Sequence, residues 1–343
     1  MLDSKPQIGT FRKPTCLFCG GRGISFYKGL IDKLYGAPGV WSSLRCPDCG
    51  FVWLDPCPAR EDIHLAYKSY FTHQAQTDSY SKARSIYRAL RRVYLSRRFG
   101  YADPALSPIH QFLGCFLGLI PQIRAYFDVS VMWLSAIPMG KLLEIGCGRG
   151  DLLIYLKELG WDVEGVEFDS VAANNARQRG LTIHLDSLET YAAEDQSFDA
   201  IVLSHVIEHL YNPDEVINRC WRLLKRGGKL VVLTPNIDSL EHLLCGRNWF
   251  HLDPPRHIHL FNMRSLSGMA KKAGFENVSC FTHIRDAHAT WSRSLANGTG
   301  IRQENKLLFA VLKFVGLILA NIEWLVIQFF PRRGGEMTLI ARK

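Results

Sequence analysis

The stretch LLEIGCGRGD, residues 142–151, constrains this chain more than any other ten residues. An apolar strand runs directly into Gly146, Gly148 and Gly150. Glycines at that spacing let a backbone turn sharply and approach a bound group, so the segment reads as strand, cradling loop and helix start. A dinucleotide loop wants its third Gly or Ala one place later, where this chain has Asp151. A phosphate loop would end in Gly-Lys-Ser/Thr, which is absent here. The glycines alone also fit a plain tight turn between strand and helix.

The region around the loop alternates between strand and helix patterns. KLLEIG, WDVEGVE, LTIHL, FDAIVLSH, KLVVLT and the terminal EMTLIARK read as strands. DLLIYLKELG and SVAANNARQRG read as helices stopped by Gly160 and Gly180, and Gly227–Gly228 as a turn before the fifth strand. Alternation of this kind predicts an α/β fold whose mostly parallel sheet is covered by helices on both faces.

Two acids narrow the ligand. Glu144 lies just inside the loop and Glu167 ends the second strand. A carboxylate at the tip of that strand can accept both hydroxyls of a ribose. A carboxylate beside the glycines repels a pyrophosphate but suits a cationic ammonium and sulfonium. Glu-x-Gly-x-Gly-x-Gly with Glu167, followed by SFDAIVLSHVIEHL and LLKRGGKLVVLTPN, resembles the class I S-adenosylmethionine-dependent methyltransferases over about residues 138–280. The resemblance implies a Rossmann-like, mostly parallel seven-stranded sheet. It also implies cofactor contacts at Glu144, Gly146, Gly148 and Gly150, Glu167 on the ribose, and Asp186 and Ser187 near the adenine. Ser204 and His205, ending the fourth strand, lie at the carboxyl edge where ligands bind in such sheets.

Cys16 and Cys19, in CLFCG, and Cys46 and Cys49, in CPDCG, form two C-x-x-C knuckles. Four thiolates complete a tetrahedral zinc shell and leave no open position, so the expected zinc is structural. Cys57 reads as a spare thiol, and a redox dithiol is the competing reading. A zinc ribbon ahead of a methyltransferase resembles bacterial sugar methyltransferases, including those that C-methylate nucleotide-linked keto-sugars, and some ribosomal RNA methyltransferases.

Histidines carry the acceptor chemistry, because a hydroxyl or carbon acid must lose a proton and imidazole titrates near neutrality. HVIEH contributes His205, Glu208 and His209; the two histidines share a face if the segment is helical. The pattern also resembles a metal motif, and some quinone-pathway O-methyltransferases place a divalent ion here. Lining of the cofactor or substrate pocket is the default reading. WFHLDPPRHIHLFN, residues 249–262, reads as a substrate lid. His257 is its candidate base, matching a catalytic histidine of the sugar C-methyltransferases, and Arg256 could hold a substrate phosphate. The alternative is that these histidines pin the segment by hydrogen bonds.

The net charge of +9 favours an anionic partner or is solvated surface. RNA is disfavoured as acceptor, because the Asn/Asp-Pro-Pro-aromatic motif of nucleic-acid amino methyltransferases is missing after the fourth strand. KARSIYRALRRVYLSRRF, residues 82–99, could grip phosphates or lie on anionic lipid. KLLFAVLKFVGLILANIEWLVIQFFPRR, residues 306–333, is long enough to cross a bilayer. Lys306, Lys313, Asn321 and Gln328 share one stripe on it, which favours an in-plane or docked helix. FLGCFLGLI, residues 112–120, is a second apolar patch. Peripheral attachment to an anionic membrane surface is the reading, against intramolecular packing or a dimer interface. The opening residues lack an apolar signal core, which predicts a cytoplasmic protein with reduced cysteines.

The expected organisation is a zinc ribbon at 1–60, a helical connector at 61–137, the core at 138–284 with a lid near 241–262, and an apolar helix plus final strand at 285–343. The expected acceptor is a sugar hydroxyl on a nucleotide- or lipid-linked glycan precursor. A phenolic hydroxyl of a quinone-type substrate, a sugar carbon, and a non-enzymatic scaffold or nucleic-acid binder are the alternatives.

Overall fold

The structure, a computed structural model, describes residues 7–67, 82–101, 116–137, 139–186, 191–301 and 304–343, with 107, 109 and 112 besides; of 82–85 it describes the backbone alone. Ser187 and residues 113–115 lie outside the described residues. The chain falls into two compact units. One takes in 1–71, 204–221 and 232–342, the other 72–203, 222–231 and residue 343.

In the first unit, β1 (Thr10–Phe11) pairs antiparallel with β5 (Cys57–Pro58). β2 (Ile24–Leu30), β3 (Trp41–Arg45) and β4 (Val52–Leu54) follow one another in a second antiparallel sheet. The seven-stranded sheet holds β6 (Lys141–Ile145), β7 (Asp162–Glu167), β8 (Thr182–Leu185), β9 (Phe198–Ser204) and β10 (Leu224–Pro235). A short β11 (His259–Leu260) pairs antiparallel with β4 and is the fourth strand of the N-terminal sheet. β12 (Glu276–His283) and β13 (Glu336–Arg342) complete the large sheet, in the order β12-β13-β10-β9-β6-β7-β8. β6, β7, β8 and β9 run parallel, and β12 and β13 pair antiparallel. This is the Rossmann-like α/β fold.

β6 shows why the pattern reads as it does. It lies between β7 and β9, and Leu142 and Leu143 are both fully buried, so the strand buries both faces without alternation. Each such side chain stabilises the fold by roughly 1.5–3 kcal/mol. β12 has no counterpart among the expected strands; it pairs with the end of the chain, a partner no local pattern identifies. The expected turn at Gly227–Gly228 lies inside β10. There Gly227 N–H donates to Lys343 O, and Lys343 N–H to Gly228 O.

The ribbon and the expected lid are not separate parts. Trp249, Leu252 and Leu260 share one buried cluster with Ile8, Leu30, Trp41, Val52 and Leu54. Residues 249–262 therefore pack as core rather than as a hinged cover, because a segment this apolar buries itself against the first sheet. The helix Met263–Lys272 begins with a capping box, Asn262 with Ser265. The Asn262 side chain also donates to Cys49 O. A Cβ at Gly50 would meet Asn262 Nδ2 at 2.6 Å, and Gly50 has φ +75°, so this knuckle accepts only glycine there.

Candidate functional site

The glycine loop and its two acids lie in the second unit. Gly146, Gly148 and Gly150 all take positive φ, at 67°, 54° and 78°. A Cβ on Gly150 would meet Leu181 Cδ1 at 2.2 Å. Gly150 thus does the close-packing work that a dinucleotide loop assigns one place later, which frees the next position for Asp151. Asp151 is bound by Arg149 and Arg179 at 2.7 Å each. Burial opposes its ionisation, but the two guanidinium bonds outweigh that and hold it below the usual carboxylate range.

Glu167 binds the loop itself: its carboxylate accepts from Gly148 N–H at 2.7 Å and from Asp169 N–H at 2.9 Å. Each oxygen keeps a further lone pair for a hydroxyl donor. Burial pushes Glu167 up, and burial followed by the charges of Glu167 and Asp151 pushes Glu144 well up. Glu144 Oε2 is buried with no hydrogen-bond partner. Two buried carboxyls beside a loop of bare backbone, one with an orphaned oxygen, fit a cationic nucleoside and do not fit a pyrophosphate. Asp186 follows β8, and its N–H donates to Glu167 O at 3.1 Å, so it stands next to the ribose acid.

The histidine cluster lies in the first unit. Ser204 ends β9, and His205 follows with φ 55°, a left-handed backbone that costs a non-glycine residue about 1–2 kcal/mol. His205 and His209 do not share a helix face, because the segment is a single tight turn, Ile207–His209, entered through that left-handed residue. His205 sits between Glu336 at 3.2 Å and Glu208 at 3.4 Å. Burial would lower its pKa, but the two carboxylates raise it to about 10. Two carboxylates so placed favour its imidazolium form, which suits it to clamp them together.

His209 and His257 are different. His209 Nδ1 lies 3.0 Å from Arg256 O, and His257 Nδ1 lies 2.7 Å from His251 O. A carbonyl oxygen only accepts, so both rings carry their proton on Nδ1, and a neutral ring then bears its lone pair on Nε2. Burial, then His257, holds His209 down to about 4, so it is neutral at pH 7. The rings meet edge to face with centroids 4.8 Å apart. Glu208 joins them: each of the three offers a ligand atom, and these atoms lie within 4.8 Å of one another. Thr234 Oγ1–H donates to Glu208 Oε2 at 2.9 Å, while Oε1 faces His205 Nδ1 at 3.4 Å. Burial opposes ionisation of Glu208, yet His205 above all holds it down to about 2.

Arg256 does not await a phosphate. Its guanidinium is fully buried, bonded to Asp253, Asp32 and Ala66 O, and stacked on Tyr35. Glu336 pairs with His205, Thr234 binds Glu208, and the His251 carbonyl orients His257. Thr234 and His251 fall within stretches already singled out, whereas nothing in the local sequence marks Glu336 as a partner.

The four thiols converge in the same unit. Cys16 Sγ–Cys49 Sγ is 3.6 Å, Cys19 Sγ–Cys46 Sγ 3.3 Å and Cys19 Sγ–Cys49 Sγ 3.7 Å. Zinc–sulfur bonds of about 2.3 Å give a tetrahedral edge of about 3.8 Å, so the set has the right size. Both knuckles fold alike: Gly20 N–H donates to Cys16 O and Gly50 N–H to Cys46 O. Cys57 is buried away from the four, and burial pushes its thiol up to about 12.

The sheet order, the glycine loop and its two acids define a Rossmann-like methyltransferase. Residues 122–280 match a family model described as a methyltransferase domain. The chain is 32% identical over 204 residues to a protein of Cereibacter sphaeroides named Ubiquinone biosynthesis O-methyltransferase, across 56% of this chain and 82% of that one. A protein of the same name from Xanthomonas oryzae pv. oryzae is 37% identical over 149 residues, across 41% of this chain and 58% of that one. A solved S-adenosylmethionine-dependent methyltransferase from Archaeoglobus fulgidus aligns with 69% of this chain and all of its own, at 19% identity and a TM-score of 0.45. This chain belongs to the S-adenosylmethionine-dependent methyltransferases and is an enzyme of that class.

Proposed function

We propose that this enzyme methylates a phenolic hydroxyl of a quinol-type acceptor. The observation that carries this reading is the convergence of Glu208, His209 and His257, with both imidazoles protonated at Nδ1 and aimed by main-chain carbonyls. A phenol titrates near 10, so at pH 7 it needs a neutral imidazole to take its proton, or a divalent ion to lower its pKa. Two histidines and a carboxylate, each oriented by a further hydrogen bond, fit either need. The names of the Cereibacter and Xanthomonas relatives support the same acceptor class.

S-adenosylmethionine supplies an electrophilic methyl group on a cationic sulfur. Gly146, Gly148 and Gly150 offer it bare backbone, Glu144 a carboxyl for its positive charge, and Glu167 acceptors for its ribose. Asp186, beside Glu167, serves the adenine end, with Ser187 next to it in sequence. His257 is the favoured base, with His209 beside it. The thiolates of Cys16, Cys19, Cys46 and Cys49 hold a structural zinc.

A sugar hydroxyl is the second reading. The four-cysteine module lies outside the matched residues 122–280 and is what a zinc ribbon before a sugar methyltransferase would require. Transfer of labelled methyl to a panel of quinols, sugar nucleotides, glycolipids and RNA, with and without divalent metal, separates the two. Label confined to sugars overturns the phenolic reading.

A further inference from the structure

Among the described residues the helix Lys306–Phe329 is the one long and apolar enough to cross a membrane, with a mean hydropathy of 2.0 over 18 residues of which 17% are buried. One face packs on the helix Ala287–Thr299. Leu312, Gly316 and Ala320 are buried there, and a Cβ at Gly316 would meet Ser292 Oγ at 2.3 Å, so the two backbones are in close contact. The opposite face is as apolar as the packed one. Leu307, Val311, Phe314, Ile318, Ile322, Leu325 and Phe329 recur there at three- and four-residue spacing and are 46% to 80% exposed.

Between these faces runs the stripe of Lys306, Lys313, Asn321 and Gln328. Asn321 and Gln328 donate their amides back to Leu317 O and Trp324 O in their own helix, which lowers their demand for water. Lys306 opens the helix and Lys313 follows on its flank, while Arg332 and Arg333 lie just past its end; all four are exposed. Among the described residues 304–333 the one exposed acid is Glu304. The helix's own acid, Glu323, is fully buried: it accepts from Trp291 Nε1–H at 2.7 Å and from Gly335 N–H at 2.7 Å. A helix tied at that point, with β13 starting at Glu336, cannot cross a bilayer without breaking both bonds.

We propose that this outer face seats in an anionic lipid monolayer, with the helix lying in the membrane plane and its flanking cations at the phosphate level. The charge pattern selects lipid over a second copy of the chain. Cations stand at both ends, so self-packing in either direction sets like charges together, whereas a phosphate layer neutralises them. The apolar face supplies the insertion energy and the lysines snorkel. The proposal is independent of which acceptor is methylated.

Flotation of the full chain with phosphatidylcholine vesicles, with and without phosphatidylglycerol, tests it at low and high salt. The protein should float with the anionic vesicles at low salt and release as salt rises. F314D/L325D, two exposed positions, should lower partition at least about tenfold. K306Q/K313Q/R332Q should lower it about fivefold per cation on anionic vesicles, with little change on neutral ones. Calorimetry with S-adenosylhomocysteine should give wild-type affinity for both variants, which shows that they fold. If F314D/L325D loses that affinity, F329S at the helix end replaces it and should still weaken partition. Failure of the wild type to float, or equal flotation of the apolar variant, overturns the proposal. So does a solution dimer that F314D/L325D dissociates without any vesicle binding.

Discussion

Two pairs of buried carboxyls, one in each compact unit, behave in opposite ways. Glu144 and Glu167 are pushed up by burial, and Glu144 keeps an orphaned oxygen. Glu208 and Glu336 are just as buried, yet both are held down, because they share the His205 imidazolium. The first pair is matched to a cation that the protein does not supply, and the second has its cation built in. Desolvation of a carboxyl costs several kcal/mol unless a charge or donor compensates it. At Glu144 and Glu167 a cationic ligand would supply that compensation, whereas His205 already supplies it to Glu208 and Glu336.

The comparison breaks first on turnover. Glu208→Gln and His257→Asn should each lower methyl transfer by about 10²–10⁴-fold while calorimetry with the cofactor shows no change. Equal losses of binding and turnover would show that these two residues act on cofactor binding instead. Glu167→Ala should do the reverse, weakening cofactor binding about 10–100-fold, since it removes a charged acceptor and the tie to Gly148. Retained affinity in that variant means the loop is not the donor seat.

Zinc removal is the next largest effect. The second knuckle is bonded to Asn262 and Arg264 in the unit that holds the histidines. Chelation or Cys46→Ser should lower the melting midpoint by at least about 5 °C and reduce turnover before it reduces cofactor affinity. A chelated protein with unchanged midpoint and no metal by elemental analysis removes the zinc assignment.

The smallest effect is on pH dependence. Burial above all raises Glu323 to about 7, and burial and Glu323 raise Glu241 well above its usual value. The folded protein thus holds a proton that the unfolded chain has lost, so this pair's contribution to stability falls as pH rises from about 4.5 to about 7. Glu208 works the other way: its contribution is present above about 4.5 and lost as pH falls towards about 2. Glu241→Gln keeps an acceptor for Trp249 and places a neutral amide where an unpartnered oxygen stood. It should flatten the decline between pH 4.5 and 7 and raise the melting midpoint at pH 8 relative to wild type. An unchanged slope in thermal scans means this pair does not hold the proton.

What was legible in the chain follows one rule. The glycine loop, the strands β6 to β9 and the two knuckles were readable because each requirement is met within about ten residues. Positive φ needs glycine, a buried strand needs an apolar run, and a thiolate pair needs its spacing. The lid was misread because aromatic and histidine content signals burial as readily as a binding loop. Only β4, lying about 200 residues earlier, turns residues 259–260 into a strand. Arg256 was misread for the same reason, since Asp32 and Ala66 are its partners from far along the chain.

The amino-acid sequence alone determined the donor-binding framework, because backbone conformations and metal-ligand spacings are local demands that residue identity states outright. Folding alone decided the charge states of the histidines. His205 became a cation and His209 a neutral ring because Glu336 reached one, while burial and His257 dominate the other. Compensation of buried charge is a property of neighbours in space, and those neighbours come together only when the core excludes water.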